Sequence, residues 1–372
     1  MPDTTPDQLL YQIALTLLPG VGIINARKLI EHTGSAEALF KEKKSSLSNI
    51  PRLGDVVIAS LTNSQSYLDR AAKEMQFIEK HKIKTLFFTD ENYPYRLKQC
   101  ADCPILLYGV GNADLDSKYI LSIVGTREAT DYGKEMCRTL ISGLKDLGVL
   151  IVSGLAYGID TSAHRNALDV SLPTVGVLAH GLDRIYPSAN TELAHRMTAN
   201  GGLVTEFMSG NEPDRENFPM RNRIIAGLSD ATIVIEAGTK GGALITADIA
   251  NSYDRDVFAV PGRVSDNYSI GCNNLIKTNR AALVQKPEDI MYIMGWDKTI
   301  EKKAPVQQKL FIQLEPDQET IVSILQEYGD CSIDRLCIES RLSATKVAAG
   351  LLNLEFEGII KSLPGKMYKL CN

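Results

Sequence analysis

The feature that most constrains this chain is a set of short, continuously apolar segments between residues 119 and 260. They are Tyr119–Val124, Val149–Ser153, Thr174–Leu178, Leu203–Thr205, Ala231–Glu236 and Val257–Val260, all rich in β-branched residues. Helical patterns fill most of the gaps, among them Tyr132–Leu147, Asn190–Ala199 and Ala243–Tyr253. A strand that is apolar at every position is buried on both faces, and helices between such strands supply the cover. The pattern predicts a doubly wound α/β domain, extended Rossmann-like, around a parallel sheet. Ligands of such sheets sit at the carboxyl ends of the strands, so the loops there carry the functional reading.

Four of those loops are rich in glycine and small polar residues. Gly125-Thr126-Arg127 follows the first strand, and Ser153-Gly154-Leu155-Ala156-Tyr157-Gly158 the second. Glu236-Ala237-Gly238-Thr239-Lys240-Gly241-Gly242 follows the fifth, and Pro261-Gly262-Arg263 the last. Each presents main-chain N–H groups at or just before a helix start, where partial positive charge accumulates. Successive phosphates can be held there although the net charge is −5 and neither end nor middle of the chain is basic overall. Gly154, Gly158 and Gly241 are equally open to a packing reading, in which they let helices approach the sheet. Lys240 touches the ligand or points into solvent.

Arg215-Glu216-Asn217-Phe218-Pro219-Met220-Arg221-Asn222-Arg223 adds three arginines and an aromatic ring. Arginines neutralise phosphates while Phe218 offers a stacking face, a combination suited to single-stranded nucleic acid. On a helix starting near Pro219, Arg221 and Arg223 point roughly 200° apart, because each residue turns about 100°. One of the two is then a structural arginine paired with an acid. Asp160 reads as an N-cap and His164 as a satisfied polar residue on the helix it begins.

Enzymatic readings fit less well. A dinucleotide site needs Gly-x-Gly-x-x-Gly after the first strand, where Gly125 stands alone, and a P-loop needs Gly-Lys-Ser/Thr, which the Gly238–Gly242 loop lacks. That loop resembles the glycine motif of LOG-type nucleotide phosphoribohydrolases, but Glu236 precedes the glycines instead of following them. Hydrolysis is therefore the alternative, and no catalytic residue is assigned. The seven cysteines are scattered, Cys100 and Cys103 have no second ligand pair, and the five histidines show no ligand spacing. We expect no metal, no cofactor, and a loop at Cys100–Cys103 leading into a strand after Pro104.

The first 85 residues read as short helices. Leu18-Pro19-Gly20-Val21-Gly22 before a helical pattern looks like the hairpin of a helix-hairpin-helix unit, with a weaker copy at Ile50-Pro51-Arg52-Leu53-Gly54. Either the hairpin meets a phosphate, with Arg27 and Lys28 nearby, or it is a tight turn without ligand. Lys, Glu, Pro and Gln after Trp296 suggest a linker. The end of the chain gives three helices and two strands, a winged helix without a basic stripe, fit for protein contact as much as for a DNA groove. The expected division is 1–85 helical, 86–296 Rossmann-like, 297–315 linker and 316–372 winged helix. No apolar run is long enough for a membrane span and the N-terminus lacks a signal-like start, so a cytoplasmic location without membrane contact is expected.

Together the loops resemble the DprA/Smf family, the DNA-processing proteins of bacterial natural transformation. The residues are Gly125-Thr126-Arg127, the run Ser153–His164, Phe218–Ser229, Glu236–Ala243 and Gly271-Cys272-Asn273-Asn274-Leu275-Ile276. The resemblance implies binding and protection of incoming single-stranded DNA, loading of the recombinase RecA, and a homodimer formed through the Rossmann-like domain. It implies DNA contacts at Gly125, Thr126, Arg127, Arg215 and Phe218. To these we add Gly154, Arg221, Asn222, Arg223, Gly238, Thr239, Lys240 and Gly241. Met220 stands where the family often has a basic residue.

Overall fold

The computed structural model describes residues 6–47, 50, 54–296 and 314–371. Most of the 50–54 copy of the hairpin and nearly all of the linker lie outside the described residues. Within them a nine-stranded sheet is built from β1 (Lys84–Phe87), β2 (Leu106–Gly111), β3 (Ile120–Val124), β4 (Leu150–Ser153), β5 (Thr174–Val177), β6 (Gly201–Thr205), β7 (Ala231–Val234), β8 (Asp256–Ala259) and β9 (Ala282–Leu283). Its order is β1-β2-β6-β5-β4-β3-β7-β8-β9. From β6 through β9 neighbours run parallel, while β1, β2 and β6 pair antiparallel.

Every residue of β3, β4, β5 and β7 is buried, as continuous apolar runs require. The chain moves from β3 outward through β4, β5 and β6, then returns to lay β7 on the other side of β3. The winding reverses between β3 and β7, and an open α/β sheet forms its crevice at such a point, beyond the strand ends. Two strands of this sheet were not anticipated. β1 is an edge strand with one buried residue, and β9 is two residues long.

The N-terminal helices Pro6–Leu17, Ile23–Thr33, Ala36–Lys41, Lys44–Leu47, Asp55–Thr62 and Gln65–His81 share a core with the sheet, since Ile13, Leu29 and Leu39 belong to one apolar cluster with Phe87, Leu106 and Val204. Cys100 and Cys103 are buried in the loop before β2, where the Cys103 Sγ accepts a hydrogen bond from Arg27 at 3.3 Å. Arg27 also donates to the Lys98 carbonyl, so this arginine braces the loop. The C-terminal unit comprises helices Pro316–Tyr328, Ile333–Ser340 and Ala344–Phe356 with β10 (Cys331–Ser332), β11 (Ile360–Leu363) and β12 (Met367–Leu370), around its own core of Ile321, Leu336, Leu351 and Leu354. This is the winged-helix arrangement.

Candidate functional site

A cleft of about 340 Å³ opens beyond the ends of β3 and β7, at the reversal of the sheet. One wall is the loop Gly125-Thr126-Arg127, the other Gly238, Lys240, Gly241 and Gly242, and the helix Asn217–Leu228 closes it with Phe218, Arg221 and Asn222. The loops reach this position through main-chain bonds at their bases. Thr126 N–H donates to the Glu236 carbonyl at 2.8 Å, and Ile159 N–H to the Thr126 carbonyl at 3.1 Å. Gly158 has φ +80°, and a β-carbon there would lie 2.2 Å from the Thr126 carbonyl oxygen, so the second loop can touch the first only through glycine. On the far wall, Gly271 N–H donates to the Ala237 carbonyl at 2.9 Å, which ties the Gly271–Ile276 motif to the Gly238 loop.

Arg127 is exposed, and its guanidinium carbon stands 5.4 Å from the centre of the Phe218 ring. Lys240 is exposed on the opposite wall. Arg221 is buried, 5.9 Å from the centre of the same ring, and donates to the carbonyls of Gly154 and Val177 and to Asn222 Oδ1. Burial lowers its pKa to about 10, with Asp160 opposing and Arg127 adding to the fall, which leaves it charged at neutral pH. Asn222 is buried beside it and lines the cleft. Gly154 lies in a smaller adjoining hollow with Tyr157, His180, Tyr186 and Pro187. The Tyr186 ring is 6.3 Å from that of Phe218. His180 accepts from Tyr186 N–H at 3.3 Å and bonds the Gly181 carbonyl, an arrangement that uses the neutral ring, and burial lowers its pKa. A half-buried ring beside the exposed Arg127, with the exposed Tyr157 and Tyr186 next to it, suits bases and phosphates in alternation.

Several expectations need correction. Arg223 does not face the cleft: it pairs with Glu206, bonds the Asp102 carbonyl, and borders a separate groove of about 840 Å³ under the hairpin residues Val21–Asn25. The 100° advance per residue puts it on the back of the helix, as the structural member of the pair. Thr239 is exposed but lies outside the cleft lining, and Arg215 is exposed on the loop that approaches it. Asp160 is not the N-cap, a position held by Gly158. It lies inside the first turn and is buried, accepting Ala156 N–H at 3.3 Å, and burial raises its pKa although Arg221 opposes the rise. His164 is only half satisfied: Nδ1 meets the Thr174 hydroxyl at 2.7 Å, while Nε2 is buried without a hydrogen-bond partner.

Glu236, the carboxylate closest to the glycines in sequence, is buried and accepts from the Thr130 N–H at 3.0 Å and from the Thr130 hydroxyl. It sits beneath the N-terminus of the helix Asp131–Gly143, away from the cleft lining. Glu236 therefore does not present its carboxylate to the cleft. Sequence reasoning passed over Tyr157 and Tyr186. The first stood inside a quoted motif, whereas the second is brought to Phe218 only by the fold.

The family model for DNA recombination-mediator protein A matches residues 84–295, and the DprA winged helix domain matches residues 305–366. Protein Smf of Synechocystis sp. is 33% identical over 96% of this chain and 98% of its own. Among solved structures, DNA processing protein A from Streptococcus pneumoniae superposes with a TM-score of 0.66 at 32% identity, covering 77% of this chain and 97% of that one. DNA processing protein A from Helicobacter pylori, described for its single-stranded DNA binding mode, gives 0.53 at 31% identity, covering 58% and 97%.

Proposed function

The chain belongs to the DNA recombination-mediator protein A family, that of the DprA and Smf proteins, and on that premise we propose that it binds single-stranded DNA along the strand-end cleft. In this reading it shields DNA taken up in natural transformation, loads RecA onto it, and catalyses no reaction itself. The observation that carries the reading is the pairing of Arg127 with Phe218 at the mouth of an open cleft whose other exposed cation is Lys240. The two cations are exposed and the stacking ring is half-buried there, while the neighbouring carboxylates of Asp160 and Glu236 are buried. A net acidic protein can thus attract a polyanion locally.

The reading extends to a cytoplasmic homodimer divided as 1–85, 86–296, 297–315 and 316–372. The exposed Leu283 on the edge strand β9 and the exposed Tyr292 and Ile293 on the helix Pro287–Ile293 support a contact between copies through the Rossmann-like domain. The deciding experiment titrates labelled oligo-dT against wild type and Arg127→Ala over a range of salt. Wild-type affinity falls by about 0.7 log units per decade of salt for each phosphate neutralised. Affinity independent of salt, or unchanged in Arg127→Ala, rejects the reading.

A further inference from the structure

We propose that Glu74, on the N-terminal helix Gln65–His81, is a positioning residue for the single-strand site: it fixes the loop that brings Arg215 and Phe218 to the cleft. The inference rests on the functional reading above and assigns to the helical region a part in binding that needs no contact with DNA.

Glu74 is a carboxylate only 1% exposed, 135 residues away in sequence from the residue it holds. Its Oε1 accepts Ser209 N–H at 2.9 Å, and its Oε2 accepts the Ser209 hydroxyl at 2.6 Å and Arg70 Nη1 at 2.9 Å. Arg70 Nη2 in turn donates to the Ser209 carbonyl at 2.5 Å. All three polar groups of Ser209, its N–H, hydroxyl and carbonyl, are therefore gripped by one Arg–Glu pair from outside the sheet. A buried carboxylate paired with a guanidinium, and bonded to a main-chain N–H and a hydroxyl, makes charge-assisted bonds, stronger than those between neutral groups.

Ser209 begins the segment that ends at the helix Asn217–Leu228. Past the clamp, Gly210 N–H donates to Asp183 Oδ1 at 3.0 Å, and at the far end Asn217 Nδ2 donates to the Ala179 carbonyl at 3.2 Å. Between these anchors Arg215 is exposed. Its side chain is long and flexible, so its usefulness to a phosphate depends on where the loop holds its α-carbon. Releasing Ser209 leaves the near end of the loop on the Gly210–Asp183 bond and on the Gly181 N–H bond to the Asn211 carbonyl, a looser hold that spreads Arg215 over positions farther from the strand.

Electrostatics make this testable, because removing an anion from a DNA-binding protein by itself leaves binding unchanged or strengthens it. Labelled oligo-dT is titrated over a range of salt against the full chain as wild type, Glu74→Gln, Arg215→Ala and the double variant. Expected is a loss of affinity in Glu74→Gln, a salt slope shallower by about 0.7 as in Arg215→Ala, and a double variant no weaker than Arg215→Ala alone. Wild-type or tighter binding in Glu74→Gln, losses that multiply in the double variant, or no effect of Arg215→Ala would overturn the proposal. Should Glu74→Gln not fold, Ser209→Ala, which deletes one of the three contacts, carries the same comparison with Arg215→Ala. Arg127→Ala separates the two levels: if it abolishes binding while Glu74→Gln does not weaken it, the positioning role fails and the cleft reading stands. If Arg127→Ala binds as wild type, both fail.

Discussion

A β-carbon placed on Gly154 would lie 2.7 Å from the guanidinium carbon of Arg221, and the Gly154 carbonyl accepts a hydrogen bond from that same guanidinium at 2.5 Å. The glycine that opens the second loop is thus the floor on which the buried arginine rests. Asp160 Oδ2 would lie 2.6 Å from the same β-carbon, so a methyl group there displaces both side chains. Gly154→Ala should cost about 1–3 kcal/mol, as overpacking does, and should push Arg221 out of register with Phe218. A thermal melt and an oligo-dT titration on the same sample test this. Unchanged melting together with unchanged affinity would show that the contact is not as close as the structure has it.

The two arginines of the Phe218–Arg223 stretch should separate cleanly by substitution. Arg127→Ala acts on binding and Arg221→Ala on binding and stability together, because Arg221 is buried and bonds the Gly154 and Val177 carbonyls, whereas Arg223→Ala acts on stability alone, because it leaves Glu206 without its cation. Side chains of Arg223 and Glu206 are 15% and 14% exposed. Breaking so buried a pair costs on the order of 3 kcal/mol. Denaturant unfolding should register that loss while the salt slope of oligo-dT binding stays at the wild-type value. A shallower slope in Arg223→Ala would put this residue back among the phosphate contacts.

How much of this was legible beforehand follows from which interactions are local in sequence. β3, β4, β5 and β7 could be read within about two residues, the usual scatter of such boundaries, because burial on both faces leaves only apolar side chains. β1 escaped because an edge strand exposes half its residues and then has no apolar run, and β9 because two residues carry no periodicity. The glycine loops were visible as contiguous motifs. Tyr186 and Glu74 were not, since each reaches its partner only once the sheet has assembled. Helical geometry alone foretold that Arg221 and Arg223 diverge, but the side facing the cleft depended on Glu206 and Gly154, which no local pattern links to either.

Tyr186 and Phe218 frame the hollow beside the cleft with Arg127 above, so bases rather than backbone should be read there. Stacking of a base on an aromatic ring is worth about 1–3 kcal/mol by alanine substitution. Phe218→Ala and Tyr186→Ala should each weaken oligo-dT binding by that amount with little change in salt slope, and the loss should shrink on a strand with abasic positions. Equal losses on normal and abasic strands would mean that these rings only shape the loop.

His164 makes acid stability the last expectation. The Thr174 hydroxyl donates to the Ile151 carbonyl at 3.0 Å, so it must accept from His164 Nδ1–H, which leaves Nε2 as a buried lone pair without a partner. Burial, with Arg221 adding repulsion, lowers the imidazole pKa to about 3 from 6.5. Between those values the unfolded chain takes up a proton that the folded chain refuses. The contribution of neutral His164 is therefore complete above pH 6.5 and lost as pH falls toward 3, at up to about 1.4 kcal/mol per pH unit. Asp160 has the opposite sign: burial raises its folded pKa, so its contribution is present in acid and fades as pH rises through that value. The two overlap in the acid range, and a single variant separates them. His164→Asn keeps a donor for Thr174 and cannot be protonated, so its stability measured by urea unfolding should decline less than that of wild type between pH 7 and pH 5. Parallel curves would show that Nε2 has a partner after all and that this ring is not where acid acts.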